Sequence, residues 1–323
     1  MMQAVVLNES GGAENFTILE RPLPVPSLDQ VLIRIKAFGL NRSELMTRKG
    51  LSPSVTFPRV LGIECVGEIV EDPSGEFSPG QKVAASMGGM GRDFDGSYQE
   101  FAVLPKSILT PFKSCLPWEI LGALPEMFQT AFGSLKLALK LKESETLLIR
   151  GGTSSVGLLA AQLAKSMGAT VISTSRNKLN EKLLLKNGVD LVLEDDGILT
   201  KQIGKHYPGG VDKGLELVGT NTLADTLQCI KPGGLVCFTG MLSENWSFKD
   251  FAPMDYIPST VGLTTFDSGS IKVPAPYFQK FLQKIEKGEI RPEISKVFSF
   301  SEIVSAHQLM ESNQAKGKIV VKI

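Results

Sequence analysis

The chain of 323 residues is 42% hydrophobic and 21% charged, and its 34 Lys plus Arg balance 34 Asp plus Glu to a formal net charge of zero. That length suits two domains with a core each, and the charge balance leaves no basic stripe for nucleic acid or anionic membrane and no acidic tail for a basic partner. No apolar run approaches membrane-spanning length, and Cys65, Cys115, Cys229 and Cys237 are scattered without a C-x-x-C pair, as expected of reduced thiols in a cytoplasmic protein.

The first residues, Met1-Met2-Gln3-Ala4-Val5-Val6-Leu7, lack a basic start and break into polar residues at Asn8-Glu9, so they read as a strand and not as a signal peptide. Up to about residue 117 the pattern changes every few residues, with alternation in Val31 to Ala37 and Gly67 to Val70 and with frequent Pro and Gly. This predicts a mostly β domain. The glycine-rich stretch from Ser86 to Gly96 is expected to be a mobile loop.

From residue 118 the rhythm becomes strand and helix in alternation: helix 118–139, strand 146–150, helix 156–167, strand 170–174, helix 178–187, strand 190–193, helix 197–205, strand 213–217, helix 221–230 and strand 234–239. Such alternation predicts an α/β domain over 118–266, a parallel sheet with helices on both faces. A helix near 275–287, a strand near 296–300, a helix near 301–313 and a strand over 318–322 follow, and this tail, 267–323, is expected to complete the first domain, 1–117.

At the centre of the second domain, Thr146 to Arg150 forms an apolar run, Gly151 to Ser155 a turn, and Leu158, Ala161, Leu163 and Ala164 a helical stripe. The dinucleotide fingerprint G-x-G-x-x-G falls on Gly152, Ser154 and Gly157, with serine at its middle glycine. Gly152, Thr153, Ser154, Ser155, Val156 and Gly157 would then offer a pyrophosphate the free N–H groups and positive pole of a helix start. A ribose-reading acid is expected roughly twenty residues beyond the turn. Ser175, Arg176 and Asn177 stand there instead, a set that fits a 2′-phosphate better than a diol and so favours NADPH over NADH.

Five segments together resemble the zinc-independent NADPH:quinone oxidoreductase family of the medium-chain dehydrogenase/reductase superfamily. They are Gly39 to Leu45 with Arg48-Lys49-Gly50; Pro58 to Gly67; Leu124-Pro125-Glu126 with Thr130-Ala131-Phe132; the glycine turn; and Gly317 to Val321. The resemblance implies a GroES-like, mostly β catalytic domain built from both chain ends, a Rossmann domain with a doubly wound parallel sheet between them, NADPH in the cleft and a homodimer. Asn41 and Ile63 stand where zinc-dependent relatives look to carry a cysteine and a histidine ligand, and the cysteine lobe of a structural zinc is missing, so no metal is expected. Met46 and Ser52 align where members close to this pattern carry tyrosines.

The resemblance points to a hydride transfer to a quinone or another conjugated carbonyl, held close to the nicotinamide. Asn41 is the candidate donor to the oxygen that gains charge, Thr130 lies on the helix placed beside the nicotinamide, and Glu126 is a helix-face carboxylate or an orienting group. Arg42 and Arg48 could orient an oxygen-rich substrate, with Met46 and Ser52 beside it. Val218-Gly219 and Gly240-Met241 follow strands and are expected to line the dinucleotide, and Lys316 and Lys318 to reach its phosphates. Reduction of an enone or enoyl-thioester double bond is the alternative reaction, and a non-catalytic NADPH-binding sensor the alternative class.

Overall fold

The short alternating runs near the N-terminus fold as mostly antiparallel strands in the computed structural model, which describes residues 1–52, 55–245 and 247–323. The chain divides into two units, Met1–Glu126 with Lys272–Ile323, and Met127–Ile271. The first segment holds strands β1 (Met2–Leu7), β2 (Phe16–Arg21), β3 (Gln30–Gly39), β4 (Arg59–Val60), β5 (Glu64–Glu71), β6 (Lys82–Ser86), β7 (Phe101–Pro105) and β8 (Leu109–Pro111), with helices α1 (Arg42–Arg48) and α2 (Trp118–Leu121), and it ends in the first turn of α3 (Pro125–Phe132), whose remainder belongs to the middle segment. Residues 118–139 do not form one helix. Pro125 has no N–H to continue the preceding turn and instead opens α3, after which Gly133–Ala138 widens into a π-helical stretch. Gly133 is required there, because a Cβ would lie 2.0 Å from the Phe266 ring.

The middle segment contributes β9 (Thr146–Arg150), α4 (Ser155–Ser166), β10 (Thr170–Ser175), α5 (Glu181–Lys186), β11 (Leu191–Glu194), α6 (Thr200–His206), β12 (Val211–Glu216), α7 (Thr220–Gln228), β13 (Ile230–Phe238), α8 (Pro253–Tyr256) and β14 (Gly262–Thr265). All six strands are parallel, in the order β11-β10-β9-β12-β13-β14. The chain winds outward from β9 in both directions, so its topological switch point, where open α/β sheets bind ligands, lies between β9 and β12. Leu148, Ile172, Leu193, Ile203, Leu227 and Val236 form part of the core on one face of this sheet.

The last segment adds α9 (Ala275–Glu286), β15 (Ile294–Ser299), α10 (Ile303–Glu311) and β16 (Lys318–Lys322) to the first unit. Phe278, Phe281, Leu282 and Ile285 sit one helical turn apart and bury the inner face of α9. β16 pairs antiparallel with β3, aligning Val320 with Gly39, and parallel with β15. The resulting sheet runs β15-β16-β3-β5-β6-β8, with β7 also on β3, and its core gathers Val5, Leu7, Ile33, Phe38, Leu45, Tyr98 and Met310. His307 is buried in that core, where loss of solvation pushes its pKa down to about 3 and leaves a neutral ring 3.0 Å from the Tyr98 hydroxyl. The stretch from Ser86 to Gly96 is tied down: Asp95 accepts bonds from Arg21, Arg59 and the Val60 N–H, and Met90 is 1% exposed.

Candidate active site

In the second unit the glycine turn follows β9 at the switch point. Ser154 caps α4, its Oγ accepting from the Gly157 N–H at 3.1 Å, and the first i→i−4 bond runs from Leu158 to the Ser154 carbonyl. The Ser155 and Val156 N–H groups therefore precede the intrahelical ladder and form part of the positive pole of the helix. Gly152 admits close packing of the turn, since a Cβ there would fall 1.8 Å from Ser173 Oγ.

β10 ends in Ser175, whose hydroxyl organises the loop after it. It donates to the Asn177 carbonyl at 3.0 Å and accepts from the Asn177 N–H and from Asn180 Nδ2, both at 3.1 Å. Arg176 and Asn177 are exposed beside it, and Asn180 Oδ1 is buried with no partner among the described residues. No carboxylate is in the loop itself, so its side chains suit a phosphate. After β12, Glu216 Oε1 accepts from the Val218 and Gly219 N–H groups at 2.7 and 3.2 Å, which commits those two donors and sets the loop's shape. Gly240 packs so closely on Leu217 that a Cβ would meet its carbonyl oxygen at 2.4 Å, while Met241 is 43% exposed. Thr130 is buried on α3 in this unit.

In the first unit, Asn41 begins α1, Glu64 begins β5 and Lys318 begins β16, and the three side chains meet. Lys318 Nζ donates to Asn41 Oδ1 at 2.5 Å and to Glu64 Oε1 at 2.6 Å, with Lys318 and Glu64 1% and 0% exposed. Asn41 Nδ2 donates to Glu64 Oε1 at 2.9 Å and Glu44 Oε1 at 3.3 Å, and Glu64 Oε2 accepts from the Glu126 N–H at 2.8 Å. Both amide hydrogens of Asn41 are thus spent on carboxylates. The donor role read for Asn41 from the sequence is not available in this arrangement, and Lys318 serves the cluster and not a phosphate. The donor set does not suit zinc either: an ammonium already lies against Asn41 and Glu64, Ile63 is apolar, and no group of three His, Cys, Asp or Glu able to hold a metal occurs among the described residues.

Glu44 also accepts from the Asn41 and Ile63 N–H groups, yet burial lifts its pKa from 4.5 to about 7, with Lys318 pulling the other way and Glu64 adding to the rise. A carboxyl whose folded pKa is raised binds more protons in the native than in the unfolded state, so stability is lost as pH climbs from about 4.5 to about 7. Glu44→Gln should flatten that decline while leaving the acid side little changed, as measured by denaturant midpoints across this range. An unchanged slope would mean that another group carries it.

The remaining candidates are held by near neighbours. Arg48 is fully buried, donating to the Gly11 carbonyl at 3.1 Å and to Glu311 at 2.5 Å, and so is a structural cation rather than a substrate-orienting one. The Arg42 guanidinium reaches the Asn313 side chain, Met46 is 8% exposed, and Ser52 shares a hydrogen bond with Thr47 at 2.8 Å. Lys316 is exposed ahead of β16. Two groups escaped sequence reasoning: Glu216, and Arg150, whose signal was a charged residue at the end of an otherwise apolar strand.

A GroES-like unit interrupted by a doubly wound parallel sheet with a glycine turn at its switch point is the architecture of a medium-chain dehydrogenase/reductase. Residues 27–114 match the family described as alcohol dehydrogenase GroES-like domain, and residues 187–321 that described as zinc-binding dehydrogenase. The chain is 26% identical over 332 residues to the human quinone oxidoreductase, covering 99% of this chain and 98% of the relative. It is 24% identical to the acryloyl-coenzyme A reductase of Metallosphaera sedula, covering 99% of each. The crystal structure of Escherichia coli quinone oxidoreductase complexed with NADPH superimposes with a TM-score of 0.90 at 20% identity, over 99% of this chain and 100% of that one. The chain thus carries the two domain types of the medium-chain dehydrogenase/reductases and is similar over nearly its whole length to quinone oxidoreductases.

Proposed function

We propose that this protein is an NADPH-dependent reductase that delivers a hydride to a quinone or a related conjugated carbonyl without a metal. The observation that carries the reading is the pairing of the glycine turn with a β10 end that presents Ser175, Arg176 and Asn177 and no acid. NADPH, when bound, supplies the hydride. The chain's part is to hold it: the turn from Gly152 through Thr153, Ser154, Ser155 and Val156 to Gly157 takes the pyrophosphate, the Ser175 loop takes the 2′-phosphate, and Val218, Gly219, Gly240 and Met241 line the rest, with Lys316 as a further cation for the phosphates.

On the substrate side, Arg42, Met46 and Ser52 are the residues we assign to the acceptor pocket, and Thr130 is the one we assign beside the nicotinamide. Asn41 acts by keeping Lys318, Glu44 and Glu64 in register. A quinone or enone carbon is electron-poor enough for positioning to suffice. The acryloyl-coenzyme A reductase among the relatives makes an enoyl thioester the second substrate class to assay. The edge strand β14 offers its open side to a second copy, in line with a homodimer, and four unpaired cysteines fit the cytoplasm. Among the described residues no helix is long and apolar enough to cross a membrane.

NADPH oxidation by chelator-treated protein should proceed with a simple quinone and exceed that with NADH. Loss of turnover on chelation would overturn the metal-free mechanism. Arg176→Asp should weaken NADPH about tenfold or more and NADH little, because a charge-assisted hydrogen bond is worth about 1.5–3 kcal/mol. Equal losses for both cofactors would remove the 2′-phosphate site from this loop.

A further inference from the structure

Arg150 is the last residue of β9, immediately before the glycine turn, and its side chain is 0% exposed. A guanidinium in such a place is costly unless its N–H groups are matched, and here they are. Nε and Nη2 form a fork onto Asp195 Oδ2 and Oδ1 at 2.9 and 2.8 Å. Nη1 bonds Asp225 Oδ2 at 2.7 Å, the Thr222 carbonyl at 3.1 Å and Thr226 Oγ1 at 3.2 Å. An apolar residue would satisfy a central parallel strand at far lower cost, so the network calls for another reason.

Its two arms lead to different places. Asp195 follows β11 and is laced to the end of β10: its N–H donates to the Ser175 carbonyl at 3.0 Å, and its Oδ2 accepts from Thr174 Oγ1 at 3.2 Å. That same hydroxyl accepts from the Gly151 N–H at 3.3 Å, which closes a circuit from the glycine turn through Thr174 and Asp195 back to Arg150. Asp225, on the other arm, accepts from the Leu199 and Thr200 N–H groups and so holds the start of α6 against α7.

We propose that Arg150 is a positioning residue for the dinucleotide: through Asp195 and Thr174 it fixes the spacing between the glycine turn and the Ser175–Asn177 loop, and so sets the preference for NADPH over NADH. A cofactor bridging both loops reaches the pyrophosphate donors and the 2′-phosphate side chains together only if that spacing holds, whereas NADH needs the first alone. The inference rests on the NADPH reading above.

The test is the ratio of NADPH to NADH dissociation constants, from cofactor fluorescence titrations of the full chain, with thermal melting alongside. Arg150→Lys keeps the charge but loses the fork, Asp195→Asn weakens it, and Thr174→Val removes only the bridging hydroxyl. Each should cut the preference by about tenfold, mainly through NADPH, the loss of roughly one charge-assisted bond's worth of alignment. Asp225→Asn should lower the melting temperature and leave the ratio alone. Should Arg150→Lys fail to fold, Thr174→Val decides. A preference unchanged in the folded variants, or shifted as much by Asp225→Asn as by Asp195→Asn, overturns the proposal and leaves the network a purely structural one. Wild-type protein that binds NADH as tightly as NADPH, or neither, overturns the NADPH reading and this proposal with it.

Discussion

Replacing Lys318 by methionine should destabilise the first unit by about 3–5 kcal/mol, the cost of stripping a buried carboxylate of its cation. Lys318 and Glu64 are each almost wholly buried, and the ammonium is also the partner of Asn41 Oδ1. Methionine has nearly the length of lysine, so the loss comes from charge and hydrogen bonding and not from a cavity. Among the described residues Glu64 would then keep Asn41 Nδ2 and the Glu126 N–H as donors, beside a second carboxyl at Glu44. The double variant Lys318→Met with Glu64→Gln removes both charges and should recover part of the deficit. Chemical denaturation of the intact chain measures both; a single variant within about 1 kcal/mol of wild type would show that water reaches the pair and screens it.

Gly157→Ala should lower NADPH affinity about a hundredfold, the scale of loss that misplacement on the order of 1 Å brings. The added Cβ would lie 2.7 Å from the Gly151 carbonyl oxygen, 2.8 Å from that of Gly152 and 2.9 Å from Gly152 Cα. All three are backbone atoms, so relief requires α4 to withdraw from the turn, carrying with it the Ser155 and Val156 N–H groups. Helix propensity alone would favour alanine, and the stability change should therefore be smaller than the change in binding. A fluorescence titration within threefold of wild type would count against the turn as the pyrophosphate cradle.

The alternating strand and helix pattern was legible because its periodicities are local. Ser154 to Gly157 read as a helix start from residue types alone, and the Ser154 cap is there. The 118–139 stretch reads as one helix because its apolar pattern runs on past Pro125, which in the structure starts a new helix, and a π-helical stretch has no residue signature of its own. Fates of charged residues were the hardest to read. Arg48 finds Glu311, and Lys318 finds Asn41 and Glu64, across more than 250 positions of chain, and nothing local distinguishes such partners from solvent. Arg150 was visible as an oddity in Leu147-Leu148-Ile149-Arg150, but its acceptors come from the loop after β11 and from α7, 45 to 76 positions away.

The pairing of β16 with β3 has a temporal side. The Rossmann unit is one unbroken stretch, Met127–Ile271, and can collapse as soon as it leaves the ribosome. The GroES-like unit, begun earlier, must wait with the Ala37–Gly39 end of β3 open and Glu64 without its ammonium until the segment carrying Lys318 has been made. The later-synthesised unit is thus the first able to mature, and during that interval the exposed end of β3, Ala37–Gly39, is where a chaperone, or a second unfinished chain, would take hold.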